Sequence, residues 1–152
     1  NEVRAAAQLL KDDWGVASDV WSVTSYNELR RDALNAERWN LLHPEEKPRV
    51  PFISETLEGE DGVYVAASDY MKTLPDGLRQ WIPGEFISLG TDGFGRSETR
   101  EALRDFFEVD ARYIVVAAIA ALTQAGKLQP AAVASAIKDL DIDPEKLNPM
   151  IS

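Results

Sequence analysis

The chain has 152 residues, with 26 Asp and Glu against 16 Lys and Arg, a formal net charge of −10 and no cysteine. That length suits one domain, residues 1–152, and the lack of cysteine excludes disulfides, thiolate nucleophiles and cysteine-ligated metals. The acidic balance argues against a surface built to neutralise nucleic-acid phosphates or anionic lipid, so neither nucleic acid nor a membrane is expected as a partner.

The first residue is Asn1, and a helical pattern already runs from Glu2 to Trp14 through Val3, Ala6, Leu9, Leu10 and Trp14. It ends near Lys11–Asp13, with Gly15 as its stop. A chain that opens inside a helix reads as a piece of something longer. Ala17–Thr24, with β-prone Val20, Trp21 and Val23, predicts a strand. Ser25 or Asn27 caps a helix from Glu28 to about Leu42, ended by His43-Pro44. Pro44, Pro48 and Pro51 make an extended connector. Phe52–Leu57 reads as a short edge segment, and Val63–Ala67 as a buried strand. Ser68 and Asp69 open a helical turn, and Pro75 stands first in a helix reaching Trp81. Phe86–Leu89 is a third strand.

The run Leu89-Gly90-Thr91-Asp92-Gly93-Phe94-Gly95-Arg96-Ser97 is a tight glycine turn between that strand and a helix capped by Ser97, Glu98–Phe107. Two more helices follow, Ala111–Ala125 with Asp110 as cap and Gly126 as stop, and Pro130–Leu140. A final turn starts at Pro144, capped by Asp143. The apolar run Ala111–Leu122 covers about 12 residues where a bilayer needs about 20, so it reads as a buried helix. No basic stretch leads into an apolar core and cleavage site, so no signal peptide is expected. Strands alternating with helices imply an α/β fold: three αβα layers, a mostly parallel sheet with helices on both faces, and a first strand lying before Asn1.

Few residues here carry chemistry. The glycine turn, G-x-x-G-x-G-x-S, is neither the dinucleotide fingerprint nor the triphosphate loop, so packing against a neighbouring domain outweighs a phosphate there, although helix N-termini attract anions. His43 is the one histidine, set beside a proline at a helix end, where it suits capping better than catalysis. Asp139, Asp141 and Asp143 alternate like a calcium loop. Pro144 and Met150 stand where that loop needs glycine and glutamate, which rejects it. Glu58, Glu60 and Asp61 read as a solvated turn. Trp14, Trp21, Trp39 and Trp81 read as core, with one or two open to an interface. The residues alone therefore give no self-contained active site: no catalytic, cofactor-binding or metal residue is assigned.

Longer stretches carry a resemblance. Ser18–Asp32, Glu37-Arg38-Trp39-Asn40 with Leu42-His43-Pro44, and Arg49-Val50-Pro51 closely resemble the C-terminal region of the homodimeric bacterial pyruvate dehydrogenases. So do Ser68–Lys72, Leu89–Ser97, Phe107–Asp110 and Ile142–Pro149. The resemblance covers nearly the whole chain, although Phe-Gly-x-Ser alone is shared with transketolases. It implies a transketolase-type C-terminal domain in a cytoplasmic homodimer. The parent activity it implies uses thiamine diphosphate and magnesium to decarboxylate pyruvate. The two-carbon unit then passes to lipoate on dihydrolipoyl acetyltransferase. The family's cofactor motif and active-site histidines lie in other domains, so no catalytic residue is carried over. Thr91, Asp92, Phe94, Gly95 and Arg96 are the expected edge toward the remaining domains or the second subunit, since open α/β sheets make their contacts at the carboxyl ends of strands. A stand-alone α/β module using the same turn for a protein or small anion is the alternative.

Overall fold

The computed structural model describes residues 1–152. Its helices are α1 (Glu2–Trp14), α2 (Tyr26–Leu42), α3 (Phe52–Thr56), α4 (Thr73–Asp76), α5 (Arg100–Phe106), α6 (Ala111–Gln124) and α7 (Ala131–Asp139). Two strands, β1 (Tyr64–Ala67) and β2 (Phe86–Leu89), pair in parallel with Tyr64 beside Phe86 and Ala67 beside Leu89. The crossover between them holds α4 and a 3₁₀ turn, Arg79–Trp81.

The helix ends follow local rules. Gly15 takes φ 65, the left-handed conformation that glycine adopts without a Cβ penalty, and its N–H donates to Leu10 O. Ser25 Oγ accepts the Glu28 N–H at 3.2 Å and starts α2. The Asp110 carboxylate accepts the N–H groups of Arg112 and Tyr113 at 2.9 and 3.2 Å and starts α6.

Strand alternation sorts the sheet into two faces. Val65, Ala67 and Leu89 pack on a core built by Ala6 and Leu10 of α1, Ile114, Val115, Ala118 and Ile119 of α6, and Ala136 of α7. The other face meets the crossover. Ser88 Oγ donates to Asp76 Oδ1 at 2.6 Å, and Arg79 Nη1 donates to Phe86 O at 2.7 Å with its guanidinium over the Phe86 ring. A second small core joins α2 to the crossover through Ala33, Leu78 and Trp81. There the Trp81 indole N–H donates to Glu37 Oε1 at 2.9 Å. The sheet thus lies between helical layers, as an α/β fold requires.

Five expectations are corrected. Ala17–Thr24 is not a strand, so the sheet has two strands rather than three. These residues make no backbone–backbone hydrogen bond, and Val20, Trp21 and Val23 stand exposed; β propensity is realised only beside a hydrogen-bonding neighbour. Phe52–Leu57 is no edge segment but the helix α3 with its cap, whose Leu57 N–H reaches back to Ile53 O at 3.2 Å. Pro75 stands third in the four-residue α4, not first in a helix to Trp81, and the chain reaches Trp81 through Gly77 and the 3₁₀ turn. Ser68 and Asp69 open no helical turn; Ser68 Oγ instead accepts the Tyr70 N–H at 3.0 Å. Ser97 does not cap α5. Thr99 does, accepting the Ala102 N–H at 3.3 Å, because it offers the same hydroxyl two residues later.

Ile119 is fully buried in the core between α1, α7 and the sheet. Ile119→Ala is expected to cost about 2–5 kcal/mol of unfolding free energy, the range for a buried large-to-small change. Urea denaturation checks this, with the slope unchanged; a loss below about 1 kcal/mol would show that the site collapses around the cavity.

Candidate functional site: the glycine turn at the carboxyl end of β2

The turn leaves β2 through Gly90, which is buried against another stretch of backbone. A Cβ there would lie 2.5 Å from Tyr70 O and 2.8 Å from Lys72 N. Thr91 uses the closeness twice: its N–H donates to Tyr70 O at 3.0 Å, and its hydroxyl to Asp69 O at 2.8 Å. Asp92 Oδ2 accepts the Lys72 N–H at 3.4 Å and lies 3.8 Å from Lys72 Nζ. The first half of the turn is therefore stitched to the segment that follows β1.

The second half behaves differently. Gly93 has φ 114, a conformation L side chains rarely adopt, and a Cβ on it would lie 2.3 Å from Pro149 O. The chain's last residues thus press on the turn. Phe94 is 78% exposed, and nothing lies within 4 Å of a Cβ built on Gly95. Arg96 folds back with its guanidinium 4.2 Å from the Phe106 ring centre, a cation–π contact with the end of α5. Of the five residues expected at the edge, the structure seats Thr91 and Asp92 on residues 69–72 and Arg96 on α5, and leaves Phe94 and Gly95 projecting.

Several contributors escape a reading along the sequence. A cleft of about 250 Å³ beside the turn is lined by Lys72, Gly90, Asp92, Lys146, Pro149 and Met150, among others. Lys146 anchors the tail: its ammonium donates to Asp105 O, lies 3.9 Å from Asp105 Oδ2 and reaches the Tyr113 hydroxyl at 3.3 Å. Burial, then the charges of Glu108 and Asp105, push the Tyr113 phenol up to about 12. Below the turn, Arg104 bridges Glu2 at 3.0 Å and Asp69 at 3.2 Å. Its guanidinium is held above the usual range chiefly by the hydrogen bond to Asp69, with burial opposing. Nothing in the local pattern around Lys146 or Arg104 announces partners so distant in sequence.

The other candidates are accounted for locally. His43 Nδ1 donates to Trp39 O at 2.8 Å, and its ring stacks on Trp39 at 4.4 Å while Arg49 lies over the same indole at 4.2 Å. Glu58 and Glu60 are exposed, and Asp61 pairs with Lys127 at 2.8 Å, which lowers its carboxyl. Asp139 accepts from Ser135 Oγ, and Asp143 caps the final turn through the Glu145 N–H. Among the tryptophans, Trp81 is buried and Trp21 exposed.

A small parallel sheet held between helices, with a braced glycine turn at its carboxyl edge, defines an α/β domain. The family model described as "Transketolase-like TK C-terminal domain" matches residues 1–110, and the chain belongs to that family. It is similar to the pyruvate dehydrogenase E1 component of Pseudomonas aeruginosa, 53% identical over 150 residues, which is 98% of this chain and 17% of that protein. The Escherichia coli K12 protein of the same name is 50% identical over 151 residues, 99% of this chain and 17% of the relative. That of Mycobacterium tuberculosis is 44% identical over 138 residues, 91% of this chain and 15% of the relative. The chain thus spans about a sixth of the length of the curated relatives it matches, 17% in the first two.

Two outcomes follow from this geometry. Gly93→Ala is expected to destabilise the chain by about 1–3 kcal/mol, through positive-φ strain and the clash with Pro149, while Gly95→Ala stays within about 0.5 kcal/mol; urea denaturation of both variants compares them. Tyr113, raised to about 12, favours the folded state as the neutral phenol. Its contribution is whole below the unfolded value of about 10 and is lost as pH rises from there toward 12. A tyrosinate absorbance titration of the chain against its Tyr113→Phe variant checks the late ionisation.

Proposed function

We propose that this chain is the structural, contact-forming domain of a thiamine-diphosphate-dependent, acetyl-transferring pyruvate dehydrogenase. The observation that carries this reading is identity of 53% to a pyruvate dehydrogenase E1 component along 98% of the chain. In this reading the whole enzyme is a cytoplasmic homodimer that decarboxylates pyruvate and passes the acetyl group to dihydrolipoyl acetyltransferase. No helix here is long and apolar enough to cross a membrane.

The residues of this chain do not fit the cofactor. No three His, Asp or Glu side chains converge to hold a magnesium ion. The backbone space at Gly90 and Gly93, where a diphosphate would need to approach, is filled by Tyr70 and Pro149. The same filling weighs against an anion-holding module built on the turn. In this reading thiamine diphosphate and magnesium belong to other parts of the parent, and no chemical step is assigned here. What Thr91, Asp92, Phe94, Gly95 and Arg96 supply in this reading is an edge toward the neighbouring domain: a fixed base on residues 69–72 and a projecting aromatic tip.

In the full-length enzyme, Phe94→Ala and Arg96→Glu are each expected to weaken assembly or pyruvate turnover about tenfold or more, the scale of a lost anchor at an interface. Sedimentation and pyruvate-dependent activity measure this. If both variants assemble and turn over pyruvate normally, the edge is misassigned. Isothermal titration with thiamine diphosphate and magnesium separates the parts: the parent is expected to bind, and residues 1–152 alone to show no heat of binding.

A further inference from the structure

We propose that the last residues of the chain, Pro149–Ile151, join the tip of the glycine turn in one apolar docking surface. Its occupant is an apolar face of the preceding part of the same polypeptide. This rests on the reading given under Proposed function.

Contiguity comes first. Thr91 holds the backbone of Tyr70, and Gly93 lies against Pro149 and Met150, so three stretches of chain meet at the carboxyl end of the sheet. From them project Tyr70, Met71, Phe94, Met150 and Ile151, between 53% and 83% exposed. Five large apolar side chains gathered at one end of a chain of net charge −10 make the kind of patch that marks an interaction site.

The tail is also held in place. Lys146 anchors it to Asp105 and Tyr113. Asn148 then turns it back, its side-chain oxygen accepting the Met150 N–H at 2.9 Å and its carbonyl the Ile151 N–H at 3.1 Å. This turn seats Met150 against Gly93, where only a glycine leaves room.

The occupant follows from the comparisons. The transketolase-like model ends at residue 110, so the tail lies outside the matched domain. The pyruvate dehydrogenase E1 components nevertheless align with 98–99% of the chain. The chain makes up 17% of such a protein, so most of the apolar surface available to cover the patch lies elsewhere in the same polypeptide. Tethering presents that surface at high effective concentration.

The test uses the full-length enzyme with a photoreactive residue introduced by Phe94→p-benzoylphenylalanine or Ile151→p-benzoylphenylalanine, one at a time. Irradiation, digestion and mass spectrometry then locate the cross-links. The expected result is one receiving segment, preceding Asn1 in the same polypeptide, reached from both positions. Adding Gly93→Ala should cut the yield from position 151 at least tenfold. Cross-links from position 94 alone, or yields unmoved by Gly93→Ala, overturn the composite surface and leave the edge assignment standing. Cross-links joining two subunits make the occupant a second copy and overturn the assignment to the same polypeptide. No cross-link from either position overturns the surface, while normal assembly and turnover of Phe94→Ala and Arg96→Glu separately remove the reading beneath it.

Discussion

The buried faces of α6 hold the architecture together. Val115 and Ile119 are fully excluded from water, and Ala117, Ala118 and Ala121 are buried beside them. Small residues between branched ones let α1, α7 and the sheet approach one helix from several sides, which is why its sequence is apolar nearly all round. A helix buried that way cannot leave its first N–H groups to solvent. Glu2 of α1 accepts the Ala111 N–H at 3.3 Å, and Asp110 accepts those of Arg112 and Tyr113. The same Glu2 also pairs with Arg104, so the cap of α6, the start of α1 and the middle of α5 form one polar junction over the apolar core.

This arrangement explains why the turn is stiff at its base and free at its tip. Val65, Ala67 and Leu89 are fixed by α6 and its neighbours. The backbone leaving β1 and β2 therefore emerges from two immobile points, and Gly90 lets the two exits lie in contact. Thr91 and Asp92 complete the join with three hydrogen bonds to residues 69–72. Beyond Asp92 only Gly93 and Arg96 are held, so Phe94 projects from a rigid platform. Preorganisation of that sort lowers the ordering cost of any contact such a residue makes.

Features decided within a few residues were legible in the sequence. Gly15, Ser25, Asp110 and Gly126 act as caps or stops through their own backbone geometry or side chain, and the strand Phe86–Leu89 appears with the expected bounds. The glycine turn was legible for the same reason, since its spacing is local. Features decided by a distant partner were not. Ala17–Thr24 has β propensity without a neighbour, and the choice between Ser97 and Thr99 as cap is not written in the hydroxyls. Of the site, the residues of the turn were readable, but the seats at Tyr70, Lys72 and Pro149 were not, because backbone approaches across the fold leave no periodic trace.

Charge is distributed in a way that bears on what such a domain does. Arg79, Arg104, Arg112, Lys127 and Lys146 all face carboxylates within this chain. With 26 acidic groups against 16 basic ones, and several of the cations paired within the chain, the outer surface carries an excess of Asp and Glu. Such a surface repels another like itself over roughly a Debye length, about 8 Å at physiological salt. Close approach of two such surfaces is least costly where carboxylates are few and apolar groups many. The tip of the turn meets that condition: Phe94 stands between Gly93 and Gly95, with cationic Arg96 next in line. A turn whose spacing matches neither phosphate-binding pattern thus presents an exposed apolar tip, Phe94, on an acidic domain.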